Sequence, residues 1–163
     1  MDLHFETERL LIRPIEIGDA SFMLQLLNTE GWIKFIGDRK VHSIEEASVY
    51  IQKFVTNPNF HYHTIYLKSN ATPIGVLSFL KRDEYEFPDL GFALLPNFER
   101  SGFAYEAASA YLNHFKSSSE IKQIIGITKQ NNIKSIQLLE KLGFSFNYKS
   151  QKEALSIFML VLS

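Results

Sequence analysis

The chain is predicted to fold as an α+β (mixed α/β) protein: a mostly antiparallel, twisted sheet of about seven strands with helices on both faces. Three observations carry that expectation. Residues 61–80 hold two alternating runs rich in β-branched and aromatic side chains, split by the turn Ser69-Asn70-Ala71-Thr72-Pro73, which reads as an antiparallel hairpin. Residues 89–143 run strand, helix, strand, helix, which implies one parallel pair joined by a right-handed crossover. Ser43-Ile44-Glu45-Glu46 is a capping box, and behind it Ala47, Tyr50, Ile51, Phe54 and Val55 repeat at helical spacing.

The remaining elements follow in order. Glu8 to Arg13 reads as an opening strand closed by Pro14. Asp19 offers a cap to a helix whose apolar face is Phe22, Met23, Leu26 and Leu27. His61 to Lys68 and Ile74 to Leu80 are the hairpin strands, and the charged loop Lys81 to Glu86 leads through Pro88 into a strand from Asp89 to Leu95. Ala104, Ala107, Ala108, Tyr111, Leu112 and Phe115 form one helical stripe, its three alanines suited to close packing on a sheet. Ile121 to Thr128 is a strand. Ile133, Ile136, Leu139 and Leu142 make a second stripe ended by Gly143 as a C-cap, and two terminal strands lie near Ser145 to Tyr148 and Ala154 to Leu162.

Composition narrows the function classes. A chain of 163 residues with 45% apolar content is expected to form one domain, 1–163, around a sizeable core. A formal net charge of −1 argues against a general polyanion binder, so no nucleic-acid partner is expected. There are no cysteines, which excludes disulfides, thiolate zinc sites and cysteine nucleophiles and fits a cytoplasmic protein. The acidic start (Asp2, Glu6, Glu8) lacks the apolar run of a secretory signal, and no stretch approaches the roughly 18 apolar residues of a membrane span. The five histidines show no metal-ligand spacing; His61 and His63 share one side of a strand and are expected on a solvent face or in a substrate groove.

One stretch points to a ligand. The strand ending at Leu95 stops at Pro96, and a short polar loop carrying Gly102 opens directly into a helix. Such a junction aims several backbone N–H groups at one spot and adds the partial positive charge of the helix N-terminus, which makes a receptor for a phosphorylated ligand. Glycine at 102 lets the backbone approach that ligand without a Cβ in the way.

Several motifs then occur in a recognisable order: Thr7-Glu8-Arg9-Leu10-Leu11-Ile12-Arg13-Pro14, Pro73-Ile74-Gly75, Gly91-Phe92-Ala93-Leu94-Leu95-Pro96, Gly102-Phe103-Ala104-Tyr105-Glu106-Ala107, Asn132-Ile133-Lys134-Ser135 and Leu139-Glu140-Lys141-Leu142-Gly143-Phe144. Together they resemble the GNAT acetyltransferase superfamily, and within it the branch of ribosomal-protein N-terminal acetyltransferases. The resemblance implies an acetyl-coenzyme A–dependent N-acetyltransferase, with acetyl-coenzyme A as cosubstrate and no metal. It places the cofactor's pyrophosphate on Glu99, Arg100, Ser101, Gly102, Phe103 and Ala104, and its thioester along Phe92, Ala93, Leu94 and Leu95. A free main-chain N–H near Leu94, left over where the parallel strands splay, would polarise the thioester carbonyl.

Further roles are implied in the same way. Asp89, where that branch often carries Glu, would help deprotonate or attract the incoming amine; the alternative is a solvated strand-start carboxylate. Asp83, Glu84 and Glu86 lie upstream as an acidic mouth or simply a charged loop. Asn132 reads as a helix N-cap and, by resemblance, as a partner of the pantetheine arm. Ser135 is a candidate proton donor to the leaving thiolate, with Tyr105 and Tyr148 as weaker substitutes. Trp32, with Phe35 and Tyr50, either lines the acceptor groove or packs in the core. Lys129, Lys134 and Arg100 are candidate phosphate cations. Glu99 stands where the family prefers Gln, Arg or an aromatic, and its carboxylate is expected either to point away from the pyrophosphate or to pair, with Arg100 as one partner. The acceptor is a protein N-terminus or a small amine such as a polyamine, an amino acid or an aminoglycoside, and the chain is expected to act as a monomer or homodimer. The rival expectation is a non-catalytic sensor of acyl-coenzyme A.

Overall fold

The computed structural model describes residues 3–118 and 120–163; Asp2 of the acidic start lies outside them. The sheet has eight strands: β1 (Phe5–Glu6), β2 (Leu10–Pro14), β3 (Phe60–Leu67), β4 (Pro73–Leu80), β5 (Asp89–Leu94), β6 (Gln123–Lys129), β7 (Ser145–Lys149) and β8 (Leu155–Val161). Their spatial order is β1-β2-β3-β4-β5-β6-β8-β7, antiparallel throughout except β5 with β6. The strand beyond the expected seven is β1, two residues long and too short to leave a periodic trace. The opening strand also starts later than expected. Thr7 N–H donates to the Leu10 carbonyl at 3.0 Å and Leu10 N–H to the Thr7 hydroxyl at 3.0 Å, which turns Glu8 and Arg9 into the tip of a hairpin.

Helices α1 (Ala20–Leu27), α2 (Glu30–Phe35) and α3 (Ile44–Val55) pack on one face of the sheet; α4 (Phe103–Lys116) and α5 (Ile133–Lys141) pack on the other. On the α4 face, Ala107, Ala108, Tyr111, Leu112 and Phe115 join Leu139 over Leu10, Ile65, Leu90 and Ile124. On the α1–α3 face, Phe22, Met23, Leu26 and Leu27 meet Ala47 and Ile51 over Val76 and Leu95. Two expected face residues point elsewhere: Val55 and Ile133, the last residue of α3 and the first of α5, are 54% and 57% exposed. Both sit where a helix overruns its apolar contact.

The caps follow the chemistry of their residues. Ser43 accepts the Glu46 N–H at 3.1 Å, while the Glu46 carboxylate reaches one residue further back than a standard box, to the His42 N–H at 2.6 Å. The exit of α5 is a Schellman turn: Gly143 has φ +96°, its N–H reaches the Glu140 carbonyl, and Phe144 N–H reaches that of Leu139, each at 3.0 Å. Asp19 departs from expectation. It precedes α1, but its buried carboxylate accepts from Arg13, Thr64, Tyr66 and the Glu16 N–H instead of capping the helix. The histidine expectation is also corrected. His63 is 1% exposed among Phe5 and Tyr111, and burial lowers its pKa to about 4, keeping it neutral.

No helix among the described residues is long and apolar enough to cross a membrane.

Candidate active site

The parallel pair is joined by a single register position, Asp89 with Ile125, and opens beyond it. Ladder alternation says which amides face the opening. Leu95 N–H donates to the Ile74 carbonyl of the β4 side at 2.8 Å, so Leu95 and Ala93 point their N–H groups toward β4. Phe92 and Leu94, one residue out of step, point theirs toward β6, where no ladder position pairs them. Their side chains pack into the α4-side core, whereas Ala93 and Leu95 pack into the other. The C-terminal end of α2 lies near the far end of β6, because Lys129 Nζ donates to the Lys34 carbonyl at 2.8 Å.

At the end of β5 the chain passes through a 3-10 turn, Pro96–Phe98, and then a loop into α4. Two residues of that loop are left-handed: Arg100 at φ +63° and Gly102, the N-cap of α4, at φ +80°. Alternation of this kind curls successive N–H groups into a concave nest. Phe98 and Glu99 N–H groups are used by the turn, and Glu106 N–H by the Gly102 carbonyl. Among the described residues, the amides of Arg100, Ser101, Gly102, Phe103 and Ala104 have no acceptor. Bare amides at a helix start are suited to an anionic group such as a phosphate.

Side chains around the loop are paired differently from expectation. Glu99 bonds Lys134 of α5 at 3.0 Å, not Arg100. Arg100 is exposed, without an ion-pair partner among the described residues. Of the three candidate phosphate cations, Lys134 and Lys129 are therefore already engaged by the protein. Asn132 caps α5, accepting the Ser135 N–H at 3.3 Å, which leaves Ser135 half-buried one turn above the end of β6. Tyr105 lies under the Lys141 ammonium, 4.3 Å from the ring centroid, and Tyr148 is exposed on β7.

Asp89 sits at the closed end of the opening, 5% exposed. Burial raises its pKa to about 6, opposed by Arg82, whose Nε lies 3.1 Å from Oδ2. Trp32 is 5% exposed and packs in the α1–α3 core; its indole N–H has no acceptor among the described residues. Its ring is thus a core element, and only that N–H is left for a polar partner. Among the described residues no three His, Cys, Asp or Glu side chains converge as a metal site.

Two neighbours of the loop escaped the sequence reading. Arg9 and Thr7, at the β1–β2 hairpin tip, both bond the Glu106 carboxylate of α4. They lie more than ninety positions away in the chain, and their only trace was a place in the opening motif.

The family model for an acetyltransferase (GNAT) domain matches residues 9–145. The uncharacterized N-acetyltransferase YjdG of Bacillus subtilis (strain 168) is 32% identical over 154 residues, 89% of this chain and 91% of that protein. Among solved structures, RimL, a ribosomal L7/L12 alpha-N-protein acetyltransferase in complex with coenzyme A, superposes with a TM-score of 0.85 at 15% identity over 98% of both chains. Spermidine N-acetyltransferase from Vibrio cholerae, in complex with coenzyme A and spermine, gives 0.81 at 16% identity over 96% of this chain and 97% of that one.

Proposed function

The chain belongs to the GNAT acetyltransferase family, and from that premise we propose that residues 1–163 form one domain that moves an acetyl group from acetyl-coenzyme A to a primary amine by direct attack. The observation that carries this reading is the row of unpaired amides at 100–104, beside a strand edge with unpaired amides at 92 and 94. Bound acetyl-coenzyme A supplies the activated acyl group and a good leaving thiolate.

The protein's part is positioning and charge. Loop amides from Arg100 to Ala104 hold the diphosphate, with Glu99 moved aside by Lys134. Leu94 N–H meets negative charge developing on the carbonyl oxygen, flanked by Phe92, Ala93 and Leu95. Asn132 orients the pantetheine arm, and the Ser135 hydroxyl hydrogen-bonds the departing sulfur and relays a proton to it from solvent, regaining its own in the same step. Asp89 lies five residues back along β5, about 17 Å of extended chain from Leu94, so it takes the amine's proton through water. Trp32 shapes the acceptor side from within the core. The acceptor is a protein N-terminus or a small amine; the neighbours above are named for one of each. The exposed Asp83, Glu84 and Glu86 favour a cationic one. A coenzyme A thioester as cosubstrate fits a cytoplasmic enzyme, monomeric or homodimeric.

The test has two stages. Acetyl-coenzyme A at about 100 times its dissociation constant stabilises the fold by roughly 2.7 kcal/mol. Free thiol is then released with one member of a panel of peptide N-termini, polyamines, amino acids and aminoglycosides. Stabilisation without thiol release from any amine would make the protein a sensor of acyl-coenzyme A, and no stabilisation would remove the reading altogether.

A pH profile separates Asp89 from the rest. Its carboxyl must be ionised to accept a proton, so kcat/KM rises with pH through about 6. Asp89→Asn removes that limb, leaving only the titration of the amine itself, and lowers kcat/KM at neutral pH by about a hundredfold. An unchanged profile in the variant would reassign the base.

A further inference from the structure

The loop at 99–102 is not held in its shape by its own preferences. Arg100 is a non-glycine residue in the left-handed region, which costs about 1–2 kcal/mol, whereas Gly102, two residues on, adopts its positive φ freely. Something outside the loop must fix it, and one side chain reaches it from the other end of the sequence. Arg9 touches the residues on both sides of Gly102. Its Nη1 donates to the Ser101 carbonyl at 2.9 Å, its guanidinium lies 4.2 Å from the Phe103 ring centroid, and its Nε donates to the Glu106 carboxylate at 2.7 Å. Glu106 is fixed in turn by the Thr7 hydroxyl at 2.5 Å and the Arg9 N–H at 2.9 Å. Burial alone would raise the Glu106 pKa, but these hydrogen bonds hold it below the ordinary value, so the carboxylate is ionised and Arg9 is anchored.

Peptide geometry turns that anchor into an aiming device. In a planar trans peptide the C=O and the following N–H point in opposite directions. The Ser101 carbonyl is pinned on Arg9, so the Gly102 N–H is turned away from the guanidinium. We infer that Arg9 is a positioning residue for diphosphate binding: by holding the Ser101–Gly102 peptide it directs the Gly102 amide at the ligand, without itself touching the ligand. This inference rests on the coenzyme A reading above.

The experiment is calorimetric titration of the 163-residue chain and its variants with coenzyme A and with pantetheine, which has no phosphates, alongside urea unfolding of each. Arg9→Ala and Arg9→Lys each raise the Kd for coenzyme A at least about tenfold, the loss expected for one charge-assisted hydrogen bond. Lysine fails to rescue because it cannot fork between a carbonyl and a carboxylate. The Kd for pantetheine stays within about twofold in both variants. Thr7→Ala removes a Glu106 bond but leaves the Ser101 contact, so it loses stability while keeping the wild-type coenzyme A affinity. Three results would overturn the inference while leaving the enzyme reading intact. They are wild-type coenzyme A affinity in Arg9→Lys, an equal affinity loss in Thr7→Ala at equal loss of stability, and a parallel loss for pantetheine. Failure of the wild-type chain to bind coenzyme A would instead defeat the enzyme reading, and this inference with it.

Discussion

Gly102→Asp is expected to weaken coenzyme A binding by about a thousandfold, roughly 4 kcal/mol, while the protein stays folded. Two costs converge at that position. A side chain there must live at φ +80°, and a carboxylate is brought close to a bound diphosphate. The fold survives because, among the described residues, the one heavy atom close to such a Cβ is Arg9 Nη2, at 3.4 Å, and aspartate tolerates the left-handed region better than most residues. A guanidinium next to the new carboxylate even gives it a partner. Calorimetry with coenzyme A, paired with a thermal melt, separates the two quantities. Asp89→Asn is the contrast: it sits at the closed end of the strand pair and leaves the cofactor Kd unchanged. Equal Kd values for these two variants would contradict the assignment of binding to the loop and proton handling to Asp89.

Gly75→Val is expected to cost about 3–4 kcal/mol of folding free energy, lowering the melting temperature by roughly 10 °C. Gly75 faces Leu94 across the β4–β5 ladder. A Cβ built on it falls inside contact with the Ala93 carbonyl oxygen and Leu94 Cδ2, and lies 3.2 Å from Leu94 Cα. Two of those atoms are backbone, so no rotamer change relieves the overlap; β5 must move. That movement would displace the Leu94 amide, so kcat falls by more than the lost fraction of folded enzyme explains. Assays well below the melting temperature test this. A variant that melts early but turns over normally when folded would show that the β5 edge is not part of the reacting geometry.

Elements with strong periodicity or clear punctuation were legible in the sequence. The Ser43 cap of α3, the alanine stripe of α4, the Gly143 stop and the β3–β4 hairpin all express local rules, and each is found in the structure, although the Glu46 half of the expected box goes to the His42 N–H. The loop at 99–104 was legible for the same reason, since strand, proline, glycine and helix are neighbours in sequence. What escaped depends on distant residues. Asp19 looks like a cap until Arg13, Thr64 and Tyr66 draw its carboxylate into the interior. His63 looks like half of an exposed pair until the short β1 lays Phe5 beside it. Glu99 had an obvious neighbour in Arg100, but the partner that closes on it is the second residue of α5, 35 positions later. Arg9 carried no local signal of its part, because its role exists only once the hairpin tip meets α4.

The single rung between β5 and β6 has a consequence for the molecule as a whole. A sheet normally completes its own lattice of peptide groups; this one stops short, dividing into a five-strand leaf and a three-strand leaf that share Asp89 and Ile125 and little else. The peptide groups along the gap then belong to an unfinished lattice, and the ligand proposed to lie along β5 would take the place of the missing strand. Recognition of that kind reads main chain and not side chain, so the slot can persist while the residues lining it change.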